Sequence, residues 1–367
     1  MSKPTMALSR QWIPLMGSSC DVRSGFDAME QASKLFAGSV GTPRLCVVVH
    51  GPNTDEELVE RLRRQVVDAG FAAVFYQVQG TARSLAEATS LFEALAQAHA
   101  TSDDLCCALG DADILSLAAY VCASWCGGMS LVAIPTSEVA FLEGVLVPRG
   151  LDVGNRDELV SVRAHARHVL LDYDLAITPH QGEESVYARV LMVATAMASS
   201  ERAFSELWDR ADAMMAGDEG LFTKQLLATA KARGQAISSS AVATRQSVGY
   251  GQDVARALRR LVLQQAPYSL LVAEGMRFTA RLSVAMGKLS MDDMLAQDEL
   301  LQALGIGVPT CDVDPQALVA ALKEERFART NRFMLLLPLS IGRVRIATVD
   351  DDMLYEHACA WCSAHAV

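Results

Sequence analysis

Two rhythms of apolar positions alternate through the first half of the chain. The run RLCVVVH (44–50) is apolar without a break and stops at the turn GPN, the pattern of a strand buried on both faces. DEELVERLRRQVVDAG (55–70) then places its apolar residues at helical spacing and closes on Gly70. The same pair repeats: FAAVFYQV (71–78) reads as a strand, SLAEATSLFEALAQAHA (84–100) as a helix, DLCCALG (104–110) as a strand and DILSLAAYVCASW (113–125) as a helix. SLVAIP (130–135) and HVLLDYD (168–174) complete the strands. Alternation of this kind predicts a Rossmann-like α/β domain over residues 1–178, its parallel sheet covered by helices on both faces.

Past Pro179 the spacing becomes helical. Helices are predicted over 184–212, 251–265, 269–287 and 314–328, with a β-hairpin of 332–340 and 343–349 turning at Ile341-Gly342. A mainly α-helical C-terminal domain with a short β-hairpin therefore covers 179–367, and the boundary falls near ITPHQGEE. No internal repeat or low-complexity tract interrupts either half.

Composition narrows the function classes. A chain of 367 residues with 51% hydrophobic content supports two ordinary domains and excludes disorder. A net charge of -11 argues against nucleic acid or an anionic membrane as partner, since both need a basic patch. No apolar run approaches the roughly 18 residues of a membrane span, and the first residues lack the apolar core of a secretory signal. Nine cysteines, an odd number set mostly in apolar segments, predict a reduced, cytoplasmic protein.

The candidate chemistry begins at Gly110. An apolar strand running into glycine and then a helix is the layout of a phosphate loop, where backbone N–H groups and the helix N-terminus favour an anion. Asp111 and Asp113 stand at that opening. As helix-start residues they cap free N–H groups and complement the dipole; toward a diphosphate they are repulsive. Two unit charges ~4 Å apart repel by about 4 kcal/mol at an effective dielectric of ~20.

SLAAYVCASWCGGMSLVAIPTSEVAFLEGVLVPRG, LLVAEGMRFTARLSVAMGKLS, LKEERFARTNRFMLLLPLSIG and GTARSL occur in an order that resembles the 3-dehydroquinate synthases and their relatives among the sugar-phosphate cyclases, over residues 11 to 358. The resemblance implies a Rossmann-like domain followed by a helical one, and commonly a homodimer. It also implies NAD and a divalent metal, usually zinc, held by a glutamate and two histidines. At the matching positions this chain has Leu191 for the glutamate, and Val248 and Tyr268 for histidines, with Gln252 at a further histidine of the pattern. No histidine occurs between His180 and His357. The family's glycine-rich loop falls on Gly110-Asp111-Ala112-Asp113, which keeps only its first glycine. Neither the metal nor the nicotinamide cofactor is therefore expected.

Polar features do persist at the family's positions. Thr136 and Ser137 keep a hydroxyl pair, Glu143 replaces an aspartate, and Arg83, Arg149 and Arg326 stand where lysines are expected. Arg149, Arg245, Arg277 and Arg326 could together hold a small anionic ligand through forked hydrogen bonds; as ordinary surface arginines they would instead pair with some of the 43 acidic residues. Cys359 and Cys362 form a C-x-x-C between two histidines, which can be a redox pair, half a zinc site or, inside a terminal helix, packing. Cys106, Cys107, Cys122 and Cys126 are expected in the core.

These observations favour a catalytically inactive member of the family that binds a partner or a small anion, as a homodimer or a heterodimer with a paralogue. The alternative is a biosynthetic enzyme of altered, metal-independent chemistry on a phosphorylated or carboxylated sugar-like substrate, with Tyr268 or Glu143 as acid or base. A functional 3-dehydroquinate synthase requires a different placement of the helical-domain ligands. Packing of Leu191, Tyr268 and Phe327 together would favour the inactive reading.

Overall fold

In the computed structural model, residues 8–15, 17–177, 182–262 and 266–365 are described. The chain divides into two units, Met1–Thr178 and Pro179–Val367.

In the first unit a seven-stranded sheet runs in the order β1-β2-β9-β6-β5-β3-β4. Its strands are β1 (Ser9–Leu15), β2 (Ser18–Gly25), β3 (Leu45–His50), β4 (Ala72–Gln77), β5 (Leu105–Gly110), β6 (Ser130–Pro135) and β9 (His168–Asp172). All neighbours pair in parallel except β1 and β2, an antiparallel hairpin that extends one edge. The apolar pattern does not announce this hairpin, because its strands SRQWIPL and SSCDVRSG are half polar and carry no unbroken apolar run. A second small hairpin, β7 (Leu151–Val153) with β8 (Arg156–Val160), was not predicted either.

The helices of this unit are α1 (Ala32–Ala37), α2 (Glu56–Asp68), α3 (Leu85–Gln97), α4 (Ala112–Ser124) and the short α5 (Tyr173–Ala176). One sheet face, with Cys46, Val48, Leu105, Cys107, Leu109, Val132 and Ile134, packs on Leu35, Phe36, Leu62 and Val66 of α1 and α2. The alternate strand residues, such as Val47, Cys106 and Ala108, are equally buried on the opposite face, which α4 covers. Burial of both faces explains why these strands read as unbroken apolar runs. Cys126 departs from expectation: α4 ends at Ser124, and Cys126 sits exposed in the following turn with φ of 50°.

The second unit is helical: α6 (Glu183–Ser199), α7 (Glu201–Met215), α8 (Glu219–Ser238), α9 (Val242–Gln246), α10 (Gln252–Val262), α11 (Tyr268–Ala285), α12 (Met291–Ala303), α13 (Pro315–Phe327) and α14 (Asp351–His365). The predicted helix 184–212 is two helices. Ser200 is extended (φ −170°, ψ 156°), and its hydroxyl accepts from the Ala203 amide at 3.1 Å as the cap of α7. Helices α8 and α12 were not predicted, and their apolar faces carry little helical asymmetry because polar Gln225, Thr229, Arg233 and Gln297 are buried among them. β10 (Met334–Ser340) and β11 (Arg343–Thr348) form the expected hairpin. Gly342 at its turn has φ of 80°, and a Cβ there would lie 2.6 Å from the Ser200 Cα, so the hairpin tip seats on the α6–α7 junction.

No helix among the described residues is long and apolar enough to cross a membrane.

Candidate functional site

The chain leaves β3 for β4 on one side and returns as β5 on the other, so strand order reverses between β3 and β5. Ligands of open parallel sheets bind beyond the strand carboxyl ends at such a point. A cavity of about 340 Å³ lies there, lined among others by Asn53, Thr54, Asp55, Gly110, Asp111 and Thr136. Its charged lining residues are both acidic and both cap helices. Asp55 Oδ1 accepts from the Glu57 amide at 3.0 Å, and Asp111 Oδ1 accepts from the amides of Asp113 and Ile114, each at 3.0 Å. Two of the N–H groups an anion would use at the start of α4 are thus occupied by the chain's own carboxylate. Gly110 has an internal reason as well: a Cβ there would stand 2.8 Å from the Ile114 Cβ, so the glycine admits the first turn of α4.

Asp113 belongs to a second arrangement. Its Oδ1 lies 3.0 Å from Arg83 Nε and 3.3 Å from Arg149 Nη1. Arg83, buried, also reaches Asp152 Oδ1 at 3.0 Å and Glu158 Oε1 at 3.4 Å, joining α4 to both strands of the β7–β8 hairpin. Arg149 donates from Nε and Nη2 to Glu143 Oε2 at 3.1 and 2.6 Å. Glu143 lies in a buried π-helical turn, Ala140–Val145, whose start is held by Ser137 Oγ accepting the Ala140 amide at 3.1 Å. The Arg149 amide donates to Ser116 Oγ at 3.0 Å. Arg149, one of the arginines expected to hold an anion, is therefore already engaged by carboxylates, as is Arg83, and an anion would have to draw Arg149 away from the buried Glu143. The acceptors Asp152 and Glu158 escaped the sequence reading. The turn signal Gly154-Asn155 between LD and RDELV could have found their hairpin.

In the second unit the family's metal positions can be inspected directly. Leu191 is buried in the middle of α6, Val248 is half-buried in the turn Ser247–Gly249, and Tyr268 opens α11. Helix α6 packs on both of the other two elements. The Tyr268 ring meets Tyr187, one turn before Leu191, edge-on at 5.6 Å between centroids, and the Arg259 guanidinium lies 5.2 Å from its face. Beside it, Glu183 of α6 accepts from the Ser269 amide and hydroxyl at 2.9 and 2.8 Å, fixing the start of α11. No three His, Cys, Asp or Glu side chains among the described residues gather as a metal-ligand set. His180 lies outside the described residues; His357 and His365 are on α14. Phe327 does not pack with Leu191 and Tyr268, so the three-residue packing that would favour an inactive protein is not present: Phe327 is 53% exposed and rests against Phe333.

The remaining arginines are tied to acceptors of their own unit. Arg245 Nη1 donates to the carbonyls of Ser239 and Ser240 at 2.7 and 2.9 Å, ending α8 and its loop. Arg277 holds Glu274 at 2.6 Å together with the Ile306 and Gly307 carbonyls. Arg326 Nη1 donates to Asp253 Oδ2 at 2.9 Å, while its buried Nε has no acceptor. Neighbouring Glu325 is buried, which pushes its carboxyl up, but Arg256 and Arg329 outweigh that and hold it below the usual range. Cys362 is buried on α14 and Cys359 half-buried; burial pushes the Cys362 thiol up to about 11, which keeps it protonated at neutral pH.

Comparison with known proteins gives a consistent result. Residues 73–183 match the family model described as 3-dehydroquinate synthase N-terminal. A 3-dehydroquinate synthase of Corynebacterium jeikeium is 23% identical over 330 residues, covering 88% of this chain and 89% of that protein. One from Arthrobacter sp. is 22% identical over 302 residues, covering 80% and 82%. Among solved structures, 2-deoxy-scyllo-inosose synthase complexed with carbaglucose-6-phosphate, NAD+ and Co2+ superimposes with a TM-score of 0.79 at 15% identity, over 95% of this chain and 99% of that one. The 2-epi-5-epi-valiolone synthase of Streptomyces hygroscopicus subsp. jinggangensis, with NAD+ and Zn2+ bound, gives 0.78 at 13% identity, over 94% and 96%.

Proposed function

We propose that this chain, which matches the 3-dehydroquinate synthase N-terminal model and resembles 3-dehydroquinate synthases over most of its length, has kept the scaffold of these enzymes and of the related sugar-phosphate cyclases and lost their reaction, serving instead as a binding protein. The observation that carries this reading is the environment of Leu191, Val248 and Tyr268. A catalytic zinc needs three protein ligands from nitrogen, sulfur or carboxylate oxygen and a position left open for water or substrate. Here the corresponding surface presents an isopropyl-bearing chain, a second aliphatic residue and a phenol ring set edge-on to Tyr187. These residues do not fit a divalent metal.

The nicotinamide cofactor fares similarly. A diphosphate at the start of α4 would displace Asp111 from two hydrogen bonds and stand beside its carboxylate. The residues therefore do not fit a dinucleotide diphosphate. The altered-chemistry enzyme gains no support from Glu143, whose Oε2 is held by two donors of Arg149.

The cavity at the strand ends, with its hydroxyl and carboxamide groups, and the open donor of Arg326 in the second unit offer polar groups for binding. A second copy of this chain, or a paralogue with the metal ligands intact, is the partner this reading favours, in the cytoplasm. Calorimetry tests it: neither zinc nor NAD should bind at stoichiometry, and the gene should not complement a strain lacking 3-dehydroquinate synthase. The triple substitution Leu191→Glu, Val248→His and Tyr268→His should create zinc binding where the parent has none. Tight zinc or NAD binding by the parent, or complementation, would overturn the proposal.

A further inference from the structure

Helix α14 ends in a histidine whose two ring nitrogens both face acceptors. His365 Nδ1 lies 2.8 Å from the Trp361 carbonyl oxygen, one turn back, and Nε2 lies 2.9 Å from Glu274 Oε2 on α11. A carbonyl has no proton to give, and neither does a carboxylate. A neutral imidazole carries a single N–H and can serve only one of these partners, so the geometry requires the imidazolium.

The surroundings agree. Glu274 is 0% exposed, and its other oxygen takes Arg277 Nη1 at 2.6 Å. Burial pushes the Glu274 carboxyl up, but His365 and Arg277 outweigh it and hold it ionised. The His365 ring stacks on Trp361 at 4.1 Å and 20°, and its charge sits at a helix C-terminus, where a cation is favoured. Other groups facing this corner are Arg281 of α11, which opposes the proton, and Asp298 of α12, which takes Arg281 at 2.6 Å. The Cys311 thiol, from the segment between α12 and α13, is pushed up to about 11 and stays neutral near pH 7.

The same turn does two things. The His365 carbonyl accepts the Cys311 amide at 3.2 Å, and the His365 and Trp361 side chains wall a cavity of about 540 Å³ with Glu274, Arg281 and Asp298. We propose that the last turn of α14 is a proton-operated latch: the His365 imidazolium closes it onto Glu274 of α11, and loss of that proton releases the turn and opens the cavity wall. Burial alone would push the His365 ring down, yet Glu274 and the Trp361 carbonyl outweigh it, and the folded value lies above the ordinary 6.5. The sign follows. The latch's stabilisation is fully present below about 6.5, the unfolded value, and is lost as pH rises through the higher folded value.

The experiment uses the full chain. The His365 ring is followed by two-dimensional NMR between pH 5 and 9, and the Cys311 amide by hydrogen exchange corrected for intrinsic rate. The ring should titrate above 6.5. Protection of the Cys311 amide should be constant below about 6.5, fall by up to about tenfold per pH unit between 6.5 and the ring's own transition, the slope of one proton, and level off above it. In Glu274→Gln the ring should titrate lower and the amide should open at correspondingly lower pH. In His365→Gln the protection should lose its pH dependence. Should Glu274→Gln fail to fold, the parent titration and His365→Gln decide. A ring that titrates at or below 6.5 in the parent, or Cys311 protection independent of pH there, overturns the latch.

Discussion

Replacing Asp111 separates two roles that the structure assigns to one carboxylate. Asp111 Oδ1 receives two amide hydrogens at the start of α4, whose interior residues Ile114, Leu117 and Val121 are buried. Removing the side chain in Asp111→Ala should cost about 1 kcal/mol, within the range of about 0.5–2 for lost N-caps. Asp111→Asn keeps the acceptor and loses only the charge, so it should cost less, about 0.3–1 kcal/mol from the helix dipole. For a unit of this size, 1 kcal/mol is about 2–4 °C in Tm, which scanning calorimetry resolves. The second half of the prediction concerns anions. Asp111→Gly frees both N–H groups and removes the repelling charge, so inorganic pyrophosphate should stabilise that variant in proportion to the logarithm of its concentration. The parent should show no such shift. If Asp111→Ala is as stable as the parent, the cap is not the reason for the aspartate. If millimolar pyrophosphate raises the parent's Tm as much as that of Asp111→Gly, the carboxylate does not exclude the anion.

Two further outcomes follow from the first unit. Gly110→Ala should destabilise by about 1–3 kcal/mol through the clash with Ile114, and the double variant with Ile114→Ala should cost less than the sum of the two single changes; strict additivity by denaturant titration would remove the steric explanation. Cys126, exposed in its turn, should react with a soluble thiol reagent without denaturant, whereas Cys46 and Cys107, whose thiols burial pushes well up, should react only on unfolding. Mass-spectrometric mapping of the labelled thiols checks this.

Legibility in the sequence tracked how an element is buried. Strands β3, β5 and β6 are covered on both faces and read plainly as apolar runs, and β6 was placed to the residue. The strands of the β1–β2 and β7–β8 hairpins mix polar with apolar residues whether exposed or, as in β2, half buried, so their pairing depends on neighbours that a linear pattern does not reveal. Helix α8 hides differently, with Gln225, Thr229 and Arg233 buried at positions where apolar residues were sought. The capping role of Asp111 could be read from its place beside Gly110. Arg149 could not be assigned from sequence, because Asp113 lies 36 positions away and Glu143 on an unforeseen turn. Arg83 shows the same limit, since its acceptors come from three separate elements.

The seat of Gly342 on Ser200 bears on how the second unit is made. The ribosome delivers α6 and α7 long before the hairpin tip that closes over their junction. At about 5–20 residues per second, the 141 intervening positions take roughly 7–28 s. During that interval α6, most of whose side chains are buried in the finished protein, has no hairpin to shelter beneath. The first unit carries no such debt, since its last strand ends at Asp172. The nascent helical half is therefore the natural client for a holdase, and the place where crowded expression would first go wrong.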